Sequence, residues 1–190
     1  TAGINPKVLD PLMAATAADP RVTLQLAIAA RKLYPQQQAL SYLQGFSRLH
    51  ATDPSGLLEK IVWQNMEPLV PDHLERVIDT NPSEAFARRL MTRILKLPAE
   101  RIADISSAFS RAIQTDPNHS TLNRGAIEAL VEAGQSNQVS IDVVQQVARN
   151  SLQDLKDDPS VTPLTRLHLG LIAQDPQALE QAMQTIRDSN

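Results

Sequence analysis

A two-residue phrase, Asp or Asn followed by Pro, constrains this 190-residue chain more than any other feature. It occurs at Asn5-Pro6, Asp10-Pro11, Asp19-Pro20, Asp53-Pro54, Asn81-Pro82, Asp116-Pro117, Asp158-Pro159 and Asp175-Pro176, which accounts for eight of the 13 prolines. An Asp or Asn side chain accepts a hydrogen bond from a free backbone N–H in the first turn of a helix. Proline suits the next position, because its φ is already helical and its missing N–H had no helical partner. Proline also pushes the residue before it out of the helical region. Each phrase therefore ends one helix and begins the next within two residues. A proline-rich recognition ligand would need clustered prolines, and these are dispersed.

The segments between the phrases carry helical periodicity. Ile102, Ile105, Phe109, Ala112 and Ile113 recur at steps of three and four, which is one helical face. The same spacing is met by Ala39, Tyr42, Leu43, Phe46 and Leu49, and by Phe86, Leu90, Ile94 and Leu97. Downstream, Val143, Val144, Val147, Ala148, Leu152 and Leu155 follow it, as do Leu164, Leu167, Leu171 and Ile172, then Leu179, Ala182, Met183 and Ile186. Val22 to Leu33 is apolar nearly all round and is expected at the centre of the packing. The pattern predicts ten or eleven helices, at 7–17, 20–33, 36–51, 54–66, 70–79, 82–96, 98–115, 117–134, 139–156, 160–174 and 176–188. No alternating β-rich run bounded by hairpin turns is present. The fold class is all-α.

Composition narrows the function. A formal charge of −3 argues against nucleic acid as the partner of the whole chain. The absence of cysteine excludes disulfides, thiolate metal sites and cysteine nucleophiles. No apolar run reaches the length of a membrane span. A chain starting at Thr1 is expected to be a processed form or a fragment. Neither compartment nor oligomeric state follows from the sequence, and cytoplasm and periplasm both fit.

Short connections between helices of this length favour antiparallel neighbours. The phrases at Asp19, Asp53, Asn81 and Asp116 are spaced by 34, 28 and 35 residues, and each interval holds two helices. A helical hairpin of about 34 residues is a solenoid unit that buries its apolar face by stacking. The segment "AFSRAIQTDPNHSTLNRGAIEALVEAG", from Ala108 to Gly134, resembles the tetratricopeptide repeat. It has a large residue at Phe109, a small one at Ala112 and a closing proline at Pro117, followed by Leu122, Gly125, Ala126 and Ala129. Fainter echoes are Phe46 and Leu49 before Pro54, and Leu74 and Val77 before Pro82. The family's early Trp/Leu/Gly/Tyr signature is not reproduced, the interval near "EPLVPDHLE" is short, and Asp116 to Asp158 stretches to 42 residues. The resemblance implies a right-handed superhelix of stacked antiparallel hairpins over 1–190, a single helical-repeat domain. A different helical-hairpin repeat and a compact bundle are the alternatives.

The residues that could carry chemistry are few. His50, His73, His119 and His168 stand in no metal-binding spacing, and no glycine-rich phosphate loop or nucleophile elbow exists. His168 shares the Leu164, Leu171 and Ile172 stripe and is expected as a packed histidine; His119 is expected to be exposed. Glu128 and Glu132 share a helix face, but no Glu-x-x-His motif completes a di-metal site. With Arg124 four residues before Glu128, they read as an ion-paired surface. No cofactor is expected. Trp63, the sole tryptophan, is read as the edge of the core formed by Leu58, Ile61, Val62 and Met66, with a partner anchor as the alternative.

The most informative polar cluster is "RRLMTR". Glu84 is placed to pair with Arg88, whereas Arg89 and Arg93 repel one another mildly at a four-residue spacing. They read as a solvated face or as a basic patch gripping carboxylates. In the tetratricopeptide family the first helix of each hairpin lines a concave groove, which implies groove positions at Arg31, Asn65, Arg89, Arg93, Arg124 and Glu128. The expected function is a non-catalytic module binding a protein or peptide partner of acidic character. A self-assembling structural subunit and a helical-bundle enzyme with a buried pocket are the alternatives.

Overall fold

A computed structural model describes residues 20–47, 56–78, 84–114, 120–136 and 138–188. Among the described residues there are ten α-helices, two short 3-10 helices and no strand. The expected helix at 7–17 lies outside them, as do five Asp/Asn-Pro joints, Leu49, His50 and His119. Two compact units are separated, Thr1–Phe86 and Ala87–Asn190.

In the first unit, α1 (Pro20–Leu33) packs on α2 (Gln36–Ser47) and on α3 (Leu57–Met66). Pro20 is the first residue of α1, as the proline at N1 requires. Only Thr23, Ala27 and Ala30 of α1 are fully buried, and Val22 is exposed. The helix is therefore buried on one face of small residues, not at the centre as its hydrophobicity suggested. Gly56 opens α3 in the left-handed region at φ 66°, where a Cβ is costly. After α3 the chain tightens into a 3-10 helix at Glu67–Asp72 and ends in α4 (Leu74–Ile78). The helix expected over 70–79 is thus shortened to five residues. Pro68 and Pro71 lie in the 3-10 segment, where they interrupt α-helical hydrogen bonding. Trp63 meets Phe86 edge-to-face with ring centroids 5.3 Å apart, so the packing reading of Trp63 stands.

The second unit continues along α5 (Glu84–Leu95) from Ala87. A 3-10 turn at Ala99–Arg101 leads into α6 (Ile102–Gln114), followed by α7 (Ser120–Ser136), α8 (Ile141–Asp154), α9 (Pro163–Ala173) and α10 (Pro176–Asp188). From α6 onward sequential neighbours pack, and α6 also packs on α8, and α7 on α9. The α6–α8 contact runs parallel. Ser106 meets Asn150 and Ser110 meets Asp154, so two steps one turn apart on α6 match two steps one turn apart on α8 in the same order. Burial follows: α6 hides Ile105, Phe109, Ala112 and Ile113 as expected, and Ser106, Ala108 and Ser110 besides, because helices cover it on more than one side.

The joint between α9 and α10 shows the Asp-Pro phrase at work. Gln174 ends α9 at φ 54°, and Asp175 N–H donates back to the Gly170 carbonyl at 3.0 Å. Asp175 Oδ1 then accepts from Gln177 N at 3.0 Å and Ala178 N at 3.2 Å, with Pro176 at N1. Asp158-Pro159 does not behave this way. Asp158 Oδ1 accepts from the Ser160 N–H at 2.8 Å and the Ser160 hydroxyl at 2.6 Å, closing a turn. The next helix begins three residues beyond the expected 160, at Pro163, with Thr162 as its cap; Thr162 Oγ1 accepts from Thr165 N at 3.1 Å. The sequence "DPSVTP" offers two cap-proline pairs. Arg166 holds the first as a turn by donating to the Lys156 and Asp158 carbonyls.

Candidate functional site

The residues expected to line a groove fall in both units. Arg31 is exposed at the end of α1, and Asn65 is half-buried with its amide donating to Ile61 of its own helix at 2.9 Å. In the second unit, Arg89 is exposed and Arg93 half-buried on α5, and Arg124 is exposed and Glu128 half-buried on α7. These last four lie on two helices, α5 and α7, that touch at Ala87 and Gly125. Thr92, Leu95, Ala129 and Ala133 continue the seam around a small hollow.

The electrostatics of this face differ from the sequence reading. Arg88 Nε lies 3.1 Å from Glu132 of α7. The partner expected within the helix, Glu84, has a side chain outside the described residues. Arg124 pairs with Glu128 at 3.5 Å, as expected. Glu128 and Glu132 thus each have a cation of their own, and among the described residues no three His, Cys, Asp or Glu side chains converge on a possible metal position.

A second feature had no sequence signal. An open cleft of about 510 Å³ lies between the C-terminal half of α8, the turn after it, the start of α9 and one side of α10. Arg149, Lys156 and Arg166 contribute three cations, and Gln153, Gln177, Gln181 and Thr185 contribute neutral polar groups. Arg149 reaches the Ala173 carbonyl at 3.4 Å and the Gln145 side chain at 3.1 Å. Arg166 reaches the Lys156 and Asp158 carbonyls at 2.5 and 2.6 Å. Asp175 is the acid of the cleft, and its carboxylate is occupied by the first N–H groups of α10. Arg149 and Lys156 stand seven apart within the helix expected at 139–156, but that helix ends at Asp154 and Arg166 comes from α9, so the sequence did not single out the three together.

His168 is half-buried and does not line the cleft. The stripe assigned to it is corrected: α9 buries Thr165, Leu169, Gly170 and Ala173, while Leu164 and Leu171 are 56% and 57% exposed. Among the described residues no helix is long and apolar enough to cross a membrane. Comparison with known protein families, with curated proteins and with solved structures finds no match for this chain.

Proposed function

We propose that the chain is a non-catalytic interaction module whose stacked hairpins, similar to tetratricopeptide repeats and winding as a right-handed superhelix, hold a protein or peptide partner of acidic character. The observation that supports this reading is the parallel stacking within the second unit. Ser106 with Asn150 and Ser110 with Asp154 align α6 with α8, while Gly125 brings α7 against α5 at Ala87. Alternate helices side by side form two rows, and a row presents a preformed surface. A preformed surface lowers the ordering cost of binding. Arg89, Arg93 and Arg124 lie on one such row, and arginine grips carboxylates in a bidentate way.

Affinity capture from a lysate of the source organism tests the module. A partner retained by the wild-type chain and lost with Arg89→Glu/Arg93→Glu, at an unchanged circular dichroism melt, is the expected result. Unchanged capture by the double variant removes the α5–α7 face as the site. A second reading, self-assembly, is favoured by Leu164, Leu171 and Met183, large apolar side chains left exposed on the last hairpin. Light scattering at micromolar concentration decides it, since a clean monomer removes that reading.

A further inference from the structure

We infer that the cleft between α8, α9 and α10 is where an acidic peptide segment of the partner binds. This inference rests on the interaction-module reading and deepens it by adding a second anchor in the same unit, away from the α5–α7 face. The chain as a whole carries a net charge of −3, yet this cleft gathers Arg149, Lys156 and Arg166. Among the described residues none of these three forms a salt bridge. On the α5–α7 face, by contrast, Arg88 and Arg124 already have carboxylates at 3.1 and 3.5 Å. A carboxylate arriving at Arg88 or Arg124 must displace an existing partner, whereas Arg149, Lys156 and Arg166 hold no carboxylate in a salt bridge, Asp158 acting on Arg166 without forming one.

The acid within the cleft does not cancel that charge. Asp175 spends its Oδ1 on two backbone N–H groups of α10. The carbonyls at the end of α8, which would repel an anion, are covered by Arg166 at Lys156 and Asp158. The two arginines are also held by carbonyl contacts, so their guanidinium groups are positioned before anything binds. Gln153, Gln177 and Gln181 supply amides, each able to donate to and accept from an extended peptide backbone. The volume of about 510 Å³ falls in the range of ligand sites. A single-stranded nucleic acid fits less well, because no aromatic ring lines the cleft to stack a base.

The test uses the whole chain and a fluorescein-labelled hexaglutamate peptide, read by anisotropy at low salt, with labelled oligothymidylate as comparison. Lys156→Glu/Gln181→Glu removes the cleft's excess of positive charge without touching either carbonyl-bound arginine. It should weaken hexaglutamate binding tenfold or more at an unchanged melt, while Lys32→Glu/Lys60→Glu, a charge reversal at exposed lysines of the first unit, leaves it within twofold. Thr185→Glu, an exposed position on α10, serves as a second variant should the first lower the melt. Absence of hexaglutamate binding, equal weakening by the Lys32/Lys60 pair, or equal binding of oligothymidylate overturns the inference. Capture of a lysate partner that survives Lys156→Glu/Gln181→Glu also overturns it while leaving the interaction module standing. If the wild-type chain retains no partner and binds no hexaglutamate, both readings fall.

Discussion

Gly125 of α7 presses directly against Ala87 of α5: a Cβ built on Gly125 would lie 2.9 Å from the Ala87 carbonyl carbon, the Ala87 Cβ and the Arg88 nitrogen. Two of those three atoms are backbone and cannot rotate aside. Alanine is the better helix former by about 1 kcal/mol, but overpacking a fixed contact costs about 1–3 kcal/mol. Gly125→Ala is therefore expected to destabilise the protein by up to about 2 kcal/mol. Gly45, inside α2, has nothing within 4 Å of its built Cβ. There the propensity term acts alone, and Gly45→Ala should stabilise by about 0.5–1 kcal/mol. Urea melts of both variants check the opposite signs, and a stabilised Gly125→Ala would show that the helices stand further apart.

The same contact shows what the sequence could and could not reveal. Helix existence was legible because caps and apolar periodicity are local, and α5 to α8 bury most of the side chains their spacing indicated, with Ile102, Val143 and Leu152 left half-buried. Faces were less legible where small residues make the contact. In α9 the leucines at 164 and 171 outweigh Thr165, Gly170 and Ala173 on any hydropathy reading, yet the smaller set is buried. Close helix approach needs small side chains, so the strongest apolar signal pointed to solvent. Charge pairing was legible within a helix, as for Arg124 and Glu128, and illegible across helices, as for Arg88 and Glu132. The cleft cations belong to the second kind.

The α6–α8 ladder should be energetically coupled. Asn150 Nδ2 donates to Ser106 Oγ at 2.9 Å, and Ser110 Oγ lies 2.8 Å from Asp154 Oδ2 and 3.0 Å from the Ser106 carbonyl. Ser110 has one hydroxyl proton, so it can donate to only one of those acceptors at a time. The Asn150–Ser106 bond has no such competition on its donor. A double-mutant cycle with Ser106→Ala and Asn150→Ala is expected to give a coupling of about 0.5–1.5 kcal/mol. A coupling near zero would mean that α8 is not registered on α6 by this pair.

The α9–α10 joint can be improved at one residue and weakened at its neighbour. Gln174 adopts φ 54°, a conformation that costs a side-chain-bearing residue about 1–2 kcal/mol. Glycine removes that cost but loses more backbone freedom on folding, by about 0.5–1 kcal/mol. Gln174→Gly should therefore stabilise by about 0.5–1 kcal/mol. Asp175→Ala removes an acceptor bound to two N–H groups and should cost about 1 kcal/mol, as should Thr162→Ala at the start of α9. Thermal melts would rank the three, and an indifferent Asp175→Ala would contradict the capping role.

Asp158 gives the joint before α9 a pH dependence of known sign. The Ser160 hydroxyl, and next the Ser160 backbone N–H, hold its carboxyl below the ordinary value of 3.8, with the Arg166 charge a smaller contributor. A carboxyl whose folded value is lowered binds its proton less readily in the folded state. Its contribution to stability is complete above about pH 3.8 and is lost as pH falls through the lower folded value. Ser160→Ala removes the leading cause and leaves the N–H contact. The Asp158 titration midpoint, followed by carboxyl NMR, should therefore move upward toward 3.8 without the backbone contribution disappearing. The stability difference between wild type and Ser160→Ala should narrow as the pH is lowered below that midpoint, because protonation removes the acceptor in both. An unmoved midpoint would assign the shift to the Ser160 backbone N–H, Gln114 and Arg166, and the turn would then be held without the Ser160 hydroxyl.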